Sequence, residues 1–168
     1  CSGNTHLRAS NLLASIRSQK VTVQVGLDLD IAATGAGCFH AASGLALCSG
    51  FLHVVADAST ALASFALASD APGRVKRLLD RGGIPSDPPA RKRVKPDFEV
   101  LVTLPPEEGI PHGGLLAMGS GSTDVRNAGA IVALDPDGRA TSCVEVDLEA
   151  PLYVHLRRAF SQVNIEGG

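Results

Sequence analysis

The chain has 168 residues, enough for one respectable core, and its 45% apolar, 19% charged composition with 18 Gly and 10 Pro is that of a turn-rich globular protein, not a disordered one. A net charge of −2, five Phe, one Tyr and no Trp give neither the charge nor the stacking surfaces that nucleic-acid binding asks for. No apolar run approaches the roughly 18–20 residues of a membrane span.

Residues 1–40 form an N-terminal segment. Cys1 to Gln19 has a weak helical rhythm through Leu12, Leu13 and Ile16. The alternation Val21, Val23, Val25, Leu27, Leu29 predicts one half-buried strand at about 20–30. The start at Cys1-Ser2 without Met reads as a truncation that has removed any signal peptide, which leaves localisation open between cytoplasm and periplasm.

From residue 41 the pattern changes to short strands divided by turn chemistry. Strands are expected at 43–47, 51–56, 61–67 and 74–79, with Ser49-Gly50 as a tight turn and Ala71-Pro72-Gly73 as another. A polar, Pro-containing loop follows at 82–95. The strand pattern then repeats at 98–104, 115–119, 128–134 and 141–148, with Asp135-Pro136-Asp137-Gly138 as a strong hairpin signal. A short helix is expected near 151–160, where Pro151 suits the first turn and Leu152, Leu156 and Phe160 share a face.

A phrase opens these groups. It stands as Ala42-Ser43-Gly44-Leu45, as Phe98-Glu99-Val100-Leu101 and as Ile165-Glu166-Gly167; 56 residues separate Ser43 from Glu99, and 67 separate Glu99 from Glu166. Four strands per unit at such a period predict an all-β, partial β-propeller. About two complete four-stranded antiparallel blades and flanking strands fill 41–168, which is truncated at the C-terminus.

In such a meander the start of strand one, the end of strand two and the start of strand three lie at one edge. That edge should gather Glu99, Glu166, Asp57, Ser120, Ser122 and Arg126, with Lys95, Asp97 and Asn164 from the lead-in segments. Carboxylates from several blades, Glu99 and Glu166 first, suit a hard cation such as calcium, while Arg126 and Lys95 suit a small anionic ligand. Structural latching between blades is the competing role for the same glutamates. No nucleophile–base pair can be assembled, Gly119-Ser120-Gly121-Ser122 does not satisfy Gly-x-Ser-x-Gly, and no catalytic residue is assigned. The five histidines have no ligand spacing and read mostly as surface or loop residues. The four cysteines form no CxxC pair and read as free thiols. Eight of the fifteen basic residues lie between Arg74 and Lys95, a solvated or anion-steering stretch.

The phrases Ala42-Ser43-Gly44-Leu45-Ala46, Arg91-Lys92-Arg93 with Lys95-Pro96-Asp97-Phe98-Glu99, Leu116-Ala117-Met118-Gly119-Ser120-Gly121-Ser122 and Asn164-Ile165-Glu166-Gly167 resemble an uncharacterised bacterial propeller family. That family is similar to the phytase-like (esterase-like) and SdiA-regulated propellers. The resemblance covers about residues 41–168 and implies a six-bladed propeller, of which this chain holds under half. It also implies an alternative function, calcium-dependent phosphoester or ester hydrolysis. The first reading is a binding module for a ligand, metal ion or partner at the channel mouth.

Overall fold

The structure, a computed structural model, describes residues 41–69, 71–80 and 85–167. The strand expected at 20–30 lies outside the described residues. The described residues hold eight strands: β1 (Ala42–Cys48), β2 (Phe51–Ala56), β3 (Ala61–Ala66), β4 (Arg74–Arg77), β5 (Phe98–Leu104), β6 (Gly114–Gly119), β7 (Ala128–Leu134) and β8 (Ala140–Asp147). They form two four-stranded antiparallel meanders, β1-β2-β3-β4 and β5-β6-β7-β8.

The turns explain the meander. Ser49 and Gly50 both take positive φ (46° and 76°), the conformation a two-residue hairpin needs to match strand twist. Gly138 (φ 89°) closes the β7–β8 turn with its amide on the Asp135 carbonyl at 2.9 Å.

Alternation then decides which faces meet. Val55 and Leu62 of the first sheet share one apolar core with Phe98, Leu101, Leu115, Ala130 and Val132 of the second. Burying each large side chain of this set contributes about 1.5–3 kcal/mol. Val54, Ala63 and Phe65 point the other way and pack among themselves with Leu52 and Val75.

Strands of equal rank face one another. A Cβ on Gly44 of β1 would lie 2.9 Å from the Leu101 amide nitrogen of β5, so the two first strands approach at backbone distance. At the far side, Lys76 Nζ of β4 donates to the Thr141 carbonyl of β8 (2.7 Å), and Cys143 Sγ lies 3.3 Å from the Leu78 carbonyl.

Two features were not foreseen. The stretch expected as a polar loop holds helix α1 (Pro88–Val94): the Asp87 side chain caps the Ala90 amide (2.9 Å), and prolines fill the first turn. It stops at Lys95 because a residue preceding proline, here Pro96, is driven out of the helical region. The second is a register shift at the start of each first strand, between Ala42 and Gly44 and again between Phe98 and Val100. Ser43 and Glu99 are thus equivalent bulge residues. Within the span expected as a helix near 151–160, a π-type turn (Glu149–Tyr153) leads into α2 (Val154–Ala159).

Candidate functional site

The two meanders bring the starts of β1 and β5, the ends of β2 and β6 and the loop before β7 to one edge. Both sheets build that edge in the same way. Ala41 and Asp97 have left-handed backbones (φ 56° and 57°), and their carbonyls accept from Asp57 N and Ser120 N at 3.2 and 3.0 Å. Asp tolerates this conformation better than Ala does.

Asp97 is the hub of the site. Its buried carboxylate accepts from Lys95 Nζ at 2.6 Å and Ser120 Oγ at 2.7 Å and forms an ion pair with Arg126 Nη1 at 2.9 Å. Burial pushes its carboxyl up, but the Lys95 and Ser120 hydrogen bonds and the charges of Lys95 and Arg126 outweigh that and hold it below the ordinary carboxylate range. Lys95 Nζ also donates to Asp57 Oδ2 at 2.7 Å, joining the two sheets. Burial lowers its ammonium pKa and the two aspartates more than restore it, so the net direction is up.

The serines extend the network. The Ser120 proton is spent on Asp97, so Ser122 Oγ, 2.9 Å away, donates to Ser120 and accepts from Arg126 Nη1 at 2.7 Å. Arg126 Nε is buried without a hydrogen-bond partner among the described residues.

Glu99 behaves differently. Among the described residues its carboxylate makes no hydrogen bond or ion pair, although oxygens of Asp57, Asp97 and Glu99 all lie within 4.8 Å of one another. Its carboxyl is raised, first by burial, then by the charges of Asp97 and Asp57 against a smaller pull from Lys95, with Glu166 adding to the rise. Its counterpart Ser43 instead donates to the Phe98 carbonyl.

Glu166 is exposed and accepts from Asn164 Nδ2 at 2.7 Å, while the intervening Ile165 amide donates to the Ser120 carbonyl at 2.9 Å. The nine residues that the meander places at this edge, Asp97 included, lie along it in the structure. A cavity of about 400 Å³ lined by Gly121, Ser122, Arg157, Gln162 and Asn164 adjoins the serines.

Sequence reasoning gave Asp97 only a lead-in role; the signal for more was Lys-Pro-Asp, a proline-stiffened approach to a residue at ease with positive φ. It missed the closure behind the edge altogether. Tyr153 Oη donates to the Gly119 carbonyl at 2.6 Å, and Arg157 donates to Glu149 Oε2 (2.6 Å), Asn127 Oδ1 (2.7 Å) and the Gly121 carbonyl (3.0 Å). Burial pushes the Tyr153 phenol up to about 12 against the opposing Arg157 charge. No periodicity announces the Tyr153–Gly119, Arg157–Asn127 and Arg157–Gly121 contacts, which span 30 residues or more.

His53 corrects the surface reading of the histidines. It is fully buried, with Nδ1 2.8 Å from Ser64 Oγ and Nε2 3.1 Å from the Gly138 carbonyl.

Fold and site thus define a β-rich repeat protein in which two like sheets share a charged edge. The chain belongs to the family of unknown function DUF6929, whose model matches residues 38–168. No curated protein and no solved structure matches it.

Proposed function

We propose that the chain supplies two neighbouring blades of a β-propeller and that their shared edge, at the channel mouth, binds a divalent cation such as calcium. Equal-rank strands face one another, as in adjacent blades, and the bulge with its left-handed neighbour recurs at 41–43 and 97–99. The observation that carries the binding reading is Glu99: a half-buried carboxylate with no hydrogen-bond or ion-pair partner among the described residues, beside two more carboxylates.

The charges point the same way. Asp57, Asp97, Glu99 and Glu166 carry four negative charges against the two positive ones of Lys95 and Arg126, a deficit that one divalent ion cancels. Carboxylate oxygens are the donors calcium prefers, and waters complete its 6–8 ligands. Lys95 Nζ lies between the aspartates and would swing aside, its long stem allowing the move.

Thermal unfolding of the 168-residue chain across a calcium series tests this. Calcium should raise Tm for the wild type and leave Glu99→Gln unmoved. No shift in the wild type contradicts the proposal. Assays on phosphomonoesters and carboxyl esters, run alongside, distinguish binding from the hydrolase reading; calcium-dependent turnover lost in Glu99→Gln would favour the hydrolase.

A further inference from the structure

At the sheet edge opposite the acidic cluster lies a second pocket of contrary charge. Phe51 of β2, Ser64 of β3 and Arg74 and Lys76 of β4 surround it, and Arg139 with Ala140 closes it from the second sheet. Its volume is about 190 Å³, and among the described residues no carboxylate lines it.

Register explains the convergence. His53 pairs with Ser64 and Ser64 with Arg74, so imidazole, hydroxyl and guanidinium follow one another in a single row across the sheet. The Gly138 carbonyl can only accept, so His53 Nε2 carries a proton. Burial holds the imidazole pKa down against that hydrogen bond, and in the neutral ring Nδ1 accepts from the Ser64 hydroxyl. The Phe51 ring stacks on the imidazole with centroids 5.9 Å apart and gives the pocket an apolar wall.

The three cations keep donors in reserve. Arg74 is exposed, and its side chain has no hydrogen bond or ion pair among the described residues. Lys76 gives one N–H to the Thr141 carbonyl and retains two. Arg139 packs over the Phe51 ring at 5.7 Å while Nη1 pairs with Asp135 and Asp137.

We propose that this pocket binds a small oxyanion, a carboxylate or phosphate group, with Arg74 as its main ion-pair partner and Lys76, Arg139 and Ser64 Oγ as further donors. Planar guanidinium groups match both oxyanions, and the cavity limits the ligand to a compact group. The anion competes with His53 for the Ser64 hydroxyl proton, so occupancy reaches the buried ring.

Imidazole nitrogen NMR of the 168-residue chain, titrated with inorganic phosphate and separately with acetate at fixed pH and ionic strength, tests the assignment. At least one anion should move the His53 resonances saturably, and Arg74→Gln should weaken that binding about tenfold or more. Which anion acts identifies the head group. A second variant, Lys76→Gln, should weaken it in the same sense. His53 resonances unmoved by either anion at tens of millimolar, shifts confined to the other histidines, or equal binding by Arg74→Gln would each overturn the proposal.

Discussion

Asp97 shows how one residue can tie a charged edge together. It holds a positive φ and satisfies Lys95, Arg126 and Ser120 at once. Asp97→Ala leaves two clustered cations short of a partner and should cost about 3 kcal/mol in denaturant unfolding. Because its folded pKa is depressed, its contribution is complete above the unfolded value near 4 and is lost as pH falls through the folded one. Glu99 has the opposite sign. Its raised pKa means that the ion-free fold strains against its charge above that pKa, so Glu99→Gln without calcium should match or exceed wild-type stability by up to about 1 kcal/mol at pH 7. A clear loss would show that Glu99 is a latch. The lowered pKa of His53 predicts that stability declines as pH drops below about 6.5, where the unfolded chain takes up a proton that the buried ring resists. His53→Gln should flatten the slope of stability on pH just below about 6.5.

At the scale of elements, hairpin turns fix how the sheets dock. Gly138 combines a positive φ with a position pressed against Ser49, so a Cβ there would strike the β1–β2 turn. Gly138→Ala should destabilise by more than 1 kcal/mol and disturb the His53 contact, whereas Gly50→Ala, open to solvent though also at positive φ, should cost less. The eight strands were legible because alternating apolar residues and Gly-containing turns are local signals: Ser43–Leu47, Phe51–Ala56 and Ala128–Leu134 could be read without knowing their partners. The bulges at Ser43 and Glu99 were not legible as bulges, since an extra residue exists only relative to a paired strand. Helix α1 was missed because its two prolines read as loop punctuation, although Asp-Pro-Pro is also a helix start. His53 was legible in hindsight: it falls on the same alternating face as Phe51 and Val55.

Across the whole molecule, each sheet keeps apolar side chains on the face turned away from its partner. Leu45 and Leu47 of β1 are 64% and 63% exposed among the described residues, and Val144 of β8 is 63% exposed. Exposed apolar faces of this kind favour association with another surface. The chain should therefore self-associate with concentration in sedimentation velocity, and Leu45→Glu with Leu47→Glu should reduce that association. Meander topology alone assigns residues to an edge, so the nearness of Asp57, Glu99 and Ser120 was legible without side-chain contacts. Its chemistry was less visible, since Lys95 bridging Asp57 and Asp97 depends on how closely the two first strands approach.

The Asp57, Asp97 and Glu99 carboxylates are proposed as a cation site at the edge shared by the two sheets. A crystal structure of the full chain grown with calcium tests it most directly. The account predicts anomalous density within about 2.3–2.6 Å of oxygens from all three residues, with Lys95 Nζ displaced from between the aspartates. Lys95 still bridging Asp57 and Asp97 at saturating calcium, with no ion beside Glu99, would contradict it.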